Sequence, residues 1–175
     1  MGYTHYWEFN SDYLKDGTVA DKYLQAIKLC NRVIKYAKAK VVNLAGYNAH
    51  MKGNKYPGIK LNGVKDEGHE WFIMRETFGE AAKGDINFCK TARKEYDAIV
   101  VACLAILKYK LKDAIKVSSD GDESDWEYGT NLARQVCRIK NLTNPMKEVN
   151  ALDILTTKGR CLNQGSDFCY IVGKH

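Results

Sequence analysis

Proline is scarce in this sequence, two among 175 residues, and no Gly/Ser-rich stretch interrupts its first 140 or so positions. Linkers are built from such residues, so the composition places no domain boundary there. The chain reads as one domain over residues 1–138, with residues 139–175 as a C-terminal extension of it. No apolar run approaches the roughly 20 residues that cross a bilayer. The opening Met1-Gly2-Tyr3-Thr4-His5-Tyr6-Trp7 carries neither a basic region nor an apolar signal core, which predicts an intracellular protein with no membrane partner. The six cysteines include no CxxC pair, which argues for reduced, buried thiols and against a disulfide framework or a structural zinc site. There is no P-loop, no dinucleotide fingerprint and no HExxH, and His5, His50, His69 and His175 lack metal-ligand spacing. Common mononucleotide enzymes and metallohydrolases lose ground accordingly, and no cofactor is expected.

The net charge is +6, with the basic residues dispersed. Such a balance attracts small polyanions such as nucleotides and does not demand duplex nucleic acid as a partner. Residues 3–9 have the aromatic content of a strand. Ala20, Leu24, Ile27, Cys30, Ile34 and Ala37 recur at helical spacing, and Thr18 with Asp21 resembles a capping box that opens this helix. Short strands are expected at 41–44 and 59–61 with a loop over 46–58. Asn62-Gly63 predicts a hairpin over 59–74, followed by a loop over 76–87. A helix over 92–111 is apolar on nearly every face and should form the centre of the core. A strand at 114–118 and a helix opened by a Ser124 to Glu127 capping box follow, then a short helix at 149–155 and a strand at 168–172. Strands and helices mixed without strict alternation predict an α+β fold, a mainly antiparallel sheet with about three helices packed on one face.

The segment Phe88-Cys89-Lys90-Thr91-Ala92-Arg93-Lys94-Glu95-Tyr96-Asp97 puts three cations around the expected start of the most buried helix. A helix start is already the positive pole, so Lys90, Arg93 and Lys94 should be repelled there unless an anion is bound. Thr91 stands where an N-cap hydroxyl belongs. Glu95 and Asp97 partly offset the charge, and solvated basic side chains remain the plain alternative. Cys89, beside Lys90, is a conceivable nucleophile, but no base can be assigned to it. The acidic cluster of Asp120, Asp122, Glu123, Asp125 and Glu127 departs from the calcium-loop pattern and suits a helix N-terminus better than a metal. Tyr3, Tyr6, Trp7, Tyr47, Tyr56, Trp71 and Tyr96 are mostly core candidates. Two of them facing the cations would join stacking platforms to phosphate-binding charge, as single nucleotides require.

Three stretches together, Met1-Gly2-Tyr3-Thr4-His5-Tyr6-Trp7, the Phe88 to Lys94 segment with Tyr96-Asp97, and Val117-Ser118-Ser119-Asp120-Gly121 followed by Trp126, resemble a family of small phage and other viral proteins. The resemblance spans residues 1 to about 138. It implies an anti-defence protein of the kind that sequesters the cyclic-nucleotide signals of host CBASS immunity, a sponge for cyclic dinucleotides (cGAMP-like) that acts in the host cytoplasm without catalysis. Lys90, Thr91 and Arg93, with Lys94 and Tyr96 beside them, would then hold the ligand phosphates. Tyr3, His5 and Trp7 would supply stacking or edge contacts, with Asn62 and Ser119 as further ligand-binding positions. A homo-oligomer is implied, because sponges commonly enclose ligands between subunits. The chain departs from the family pattern in carrying Glu95 where a proline is usual and in the segment beyond about Lys140. A nucleotide-processing hydrolase or transferase using His5 or Cys89 is the first alternative. A protein- or nucleic-acid-binding module is the second.

Overall fold

The computed structural model describes residues 2–40, 47–48, 58–63, 65–84 and 86–147. Strand β1 (Thr4–Phe9) turns His5, Trp7 and Phe9 inward, with Tyr3 just before it also buried, and Glu8 faces out, close to the period-2 pattern of a half-buried strand. The inward rings meet partners from four elements yet to come: Trp7 packs on Phe72, Phe9 on Tyr23 and Phe78, and His5 on Trp126. Helix α1 (Gly17–Lys40) begins on the Asp16 carboxylate, which accepts from the N–H groups of Thr18 and Val19. The expected Thr18 and Asp21 pairing is therefore replaced by a cap two residues earlier. Its buried face runs through Tyr23, Ala26, Ile27, Cys30, Val33 and Ala37.

Strands β2 (Tyr47–Asn48), β3 (Ile59–Leu61) and β4 (Phe72–Met74) form a three-stranded antiparallel sheet in that order. Ile59 pairs with Met74 and Leu61 with Phe72, the hairpin expected from Asn62-Gly63. The loop expected over 76–87 contains helix α2 (Phe78–Ala81), capped by the Thr77 hydroxyl, and runs into strand β5 (Asn87–Lys90). Helix α3 (Asp97–Leu111), strand β6 (Ile115–Ser119) and helix α4 (Glu123–Cys137) complete the fold. The second sheet has the order β5-β1-β6, antiparallel throughout. Residues Ile99 to Leu107 of α3 are all buried, and α3 packs against α1, α4 and β6. This is an α+β fold, its antiparallel strands divided between two sheets and its three long helices gathered around α3.

Two further helix starts differ from expectation. Helix α3 begins at Asp97 because residues 87–90 are drawn into a ladder with β1. Helix α4 is opened by an Asp122 and Asp125 capping box, two residues before the expected Ser124 and Glu127, with Asp122 accepting from the N–H groups of Ser124 and Asp125. Past α4, Arg134 Nε donates to Leu142 O at 2.7 Å and Asn144 Nδ2 to Glu123 O at 2.8 Å, which ties residues 139–147 to that helix. The strand expected at 41–44, most of the 46–58 loop, and the elements expected at 149–155 and 168–172 lie outside the described residues. Among the described residues no helix is long and apolar enough to cross a membrane.

Candidate functional site

Because β1 is the middle strand, His5 lies between Cys89 of β5 and Ser119 of β6 in the register. Its side chain is fully buried, with Tyr3 edge-on at 5.0 Å and Trp126 edge-on at 5.2 Å. A buried imidazole needs partners for both nitrogens. Nδ1 lies 3.0 Å from Ser119 Oγ and Nε2 lies 2.7 Å from Asp97 Oδ1. Since a carboxylate only accepts, the proton sits on Nε2 in the neutral ring and Ser119 donates to Nδ1. The Thr91 hydroxyl donates to the same Asp97 oxygen, and Ser119 Oγ also accepts from the Gly121 N–H at 3.0 Å. Thr91, Asp97, His5 and Ser119 thus form one hydrogen-bonded chain drawn from three segments far apart in sequence: β1, residues 91–97 and the end of β6.

The residue types are those of a hydrolytic triad, but the connectivity is inverted, with the acid on Nε2 and the hydroxyl on Nδ1. The imidazole is closed to solvent, so a substrate has no path to it in this conformation. The chain fixes the start of α3 against β1. Cys89 is no readier to react: its thiol donates to Glu70 O, and burial, then the Glu70 charge, push its pKa up to about 12. A thiol so shifted holds almost no thiolate at neutral pH.

The cationic segment leaves β5 as a tight turn. The N–H groups of Thr91 and Ala92 both donate to Tyr3 O, at 3.0 and 3.2 Å, and Ala92 and Arg93 adopt left-handed φ values of 51° and 58°. That turn lays the Arg93 guanidinium 4.1 Å over the Tyr3 ring and both of its Nη atoms on the Asp125 carboxylate. The Arg93 bond holds the Asp125 carboxyl below the usual carboxylate range. Burial, then the nearby Asp97 charge, push the Tyr3 phenol up to about 12. Lys94 Nζ donates to Asp66 O at 2.8 Å.

The expected conflict between three cations and a helix pole does not exist in the fold. Lys90 belongs to β5, and the first turn of α3 carries Asp97, the sign its pole favours. Thr91 is buried and bonds Asp97, while the N-cap position belongs to Tyr96 without a side-chain cap. Tyr96 is itself buried, its hydroxyl donating to Glu70 O at 2.9 Å. Trp7 is buried against Phe72. Asn62 holds the β3 to β4 connection, accepting from His69 N–H and donating to His69 O. These four side chains, with His5, offer no open face to a ligand in this conformation. The structure brings Tyr3, His5, Thr91, Arg93 and Ser119 into one cluster, with Lys94 on the same turn. Trp7 and Asn62 lie apart from it, and the Lys90 backbone N–H bonds Glu70 at 2.7 Å.

Beside the cluster an open groove of about 450 Å³ runs between α1, the 91–96 turn, the start of α3 and the middle of α4. Arg93, Lys94 and Glu95 of the turn line one wall, Asp97 lines it from the start of α3, and Tyr36 of α1 and Tyr128 of α4, 44% and 72% exposed, line it as well. A larger groove over β3, β4 and α2, about 590 Å³, contains none of the residues singled out from sequence. The sequence reading missed Tyr36, Tyr128, Asp97 and Asp125. The two tyrosines carried a signal, being aromatics on the polar side of amphipathic helices; the Asp125 to Arg93 and Asp97 to His5 bonds, spanning 32 and 92 residues, left none. Among the described residues no group of three or more His, Cys, Asp or Glu is placed to hold a metal ion.

No protein-family model, no curated protein and no solved structure matches this chain.

Proposed function

We propose that this chain is a viral immune-evasion protein that binds and sequesters cyclic dinucleotides of the cGAMP type in the host cytoplasm, without turning them over, and that the groove beside the 91–96 turn holds the ligand. The observation that carries the reading is the convergence of Arg93 and Lys94 with exposed Tyr36 and Tyr128 around one volume of nucleotide scale. Described bonds occupy two of the five guanidinium donors of Arg93 and one of the three ammonium donors of Lys94, which leaves several for a phosphodiester. The tyrosines supply faces for bases. Stacking contributes about 1–3 kcal/mol per base, against an association cost of about 4–15 kcal/mol. One open groove therefore binds weakly, and enclosure between two copies of the chain gives the affinity a sponge needs. We accordingly assign the functional form to a homo-oligomer.

The test is calorimetric titration with cyclic dinucleotides, cyclic mononucleotides and cyclic ADP-ribose isomers, recovering each ligand for mass spectrometry and repeating the titration with an Arg93→Ala/Lys94→Ala/Tyr128→Ala variant. Sequestration predicts intact ligand, binding lost in the variant and a ligand-dependent rise in oligomer mass by light scattering. Chemically altered ligand would turn the reading to a nucleotide-processing enzyme. Binding of polynucleotide with a steep salt dependence would turn it to a nucleic-acid module.

A further inference from the structure

The same groove has acceptors as well as donors, and they restrict what the ligand presents. Asp97 takes its two described side-chain bonds, from His5 Nε2 and the Thr91 hydroxyl, on Oδ1 alone. That leaves Oδ2 on a carboxylate that is fixed in place and lines the groove. Two positions earlier, Glu95 lines the same wall, exposed, and its carboxylate has no hydrogen-bond or ionic partner among the described residues. A carboxylate accepts and never donates, so a base edge facing this wall has to bring N–H groups. Guanine presents two adjacent donors, N1–H and the N2 amine, at the spacing of two carboxylate oxygens. Adenine and cytosine set a ring-nitrogen acceptor beside their amine, and uracil flanks its single N–H with two carbonyls, so each would place a lone pair against a carboxylate oxygen.

Resting on the nucleotide reading above, we infer that the ligand carries guanine and that Glu95 is the residue that selects it, with Asp97 as a preorganised second acceptor. The base stacks on the tyrosine side of the groove while Arg93 and Lys94 meet the phosphate. Glu95→Gln is the informative change: it removes the charge and one acceptor at an exposed site that no described contact uses.

The experiment titrates cyclic di-GMP, cyclic GMP–AMP and cyclic di-AMP into the wild-type chain and the E95Q variant, with thermal melts of both proteins alongside. The expected result is guanine-containing ligands about tenfold or more tighter than cyclic di-AMP in the wild type, that ratio falling below about threefold in E95Q, and equal melting temperatures without ligand. Equal or tighter binding of cyclic di-AMP, or a guanine preference that survives in E95Q, overturns the inference and leaves nucleotide sequestration standing. Absence of binding by all three ligands removes both.

Discussion

The buried histidine offers the sharpest test of what holds this fold together. In His5→Phe an aromatic ring still faces Tyr3 and Trp126 but both nitrogens are lost, and because the six-membered ring is larger than imidazole, any strain of fitting it adds to the cost of the lost hydrogen bonds. Asp97 loses a charge-assisted bond of 2.7 Å, a class of interaction worth about 1.5–3 kcal/mol. Ser119 loses its Nδ1 partner, yet its hydroxyl still lies 3.4 Å from Thr4 O and still accepts from the Gly121 N–H, which limits that loss to about 0.5–1 kcal/mol. The Asp97 side chain keeps 15% of its surface, so water relieves part of the penalty of an orphaned carboxylate. The total expected is about 2–4 kcal/mol, a large share of the roughly 5–15 kcal/mol typical of a domain. Urea unfolding followed by tryptophan fluorescence measures it directly, since Trp7 and Trp126 are both buried. A double-mutant cycle with Asp97→Asn should return a coupling of about 1.5 kcal/mol or more between the two sites. A His5→Phe protein within about 0.5 kcal/mol of the wild type, or a vanishing coupling, would refute the view that this polar chain fastens α3 to β1.

Gly129→Ala would ordinarily favour a helix, but a Cβ there meets Ala98 O at 2.7 Å and Val101 Cγ1 at 2.6 Å. It should force α4 off α3 and lower stability by about 1–3 kcal/mol in urea unfolding; a gain would show the two helices are not so closely seated. Ala92→Gly relieves a left-handed φ of 51°. Relief of about 1–2 kcal/mol less about 0.5–1 kcal/mol for the freer unfolded chain predicts a gain near 0.5 kcal/mol in the same assay, and a clear loss would contradict the strain at this turn. Acid unfolding follows from three aspartates whose folded pKa values are depressed: Asp16 by the Thr18 hydroxyl, Asp122 by the Ser124 hydroxyl and Asp125 by Arg93. Their stabilisation is present above the unfolded value of about 3.9 and is lost as pH falls through the lower folded values. Melting temperature should therefore drop between about pH 5 and pH 3, less steeply in Asp122→Asn; parallel profiles for the two proteins would exclude this origin.

How far the sequence carried the reading depends on the range over which each feature is decided. The aromatic strand β1, the apolar stripe of α1, the α3 helix apolar on nearly every face and the Asn62-Gly63 hairpin were legible because local composition or pattern agrees with burial in them. The 87–97 segment was not. Thr91 beside Lys90 and Arg93 has the local chemistry of a helix start, but β1 offers residues 87–90 a ladder, and the Tyr3 carbonyl captures the next two N–H groups. Long-range pairing thus overruled a cap worth about 1 kcal/mol.

The candidate site divides in the same way. Composition and spacing alone determined an α+β chain, and they marked Arg93 and Lys94 as candidate site residues. Only the tertiary structure decided that Thr91, His5 and Ser119 are spent on one another and on Asp97, and that Tyr36, Tyr128 and Glu95 share a groove with the two cations. The physical reason is that hydrogen-bond partners 92 and 114 residues apart leave no periodic trace in a sequence. A helix face or a strand alternation does, because its partners are its own neighbours.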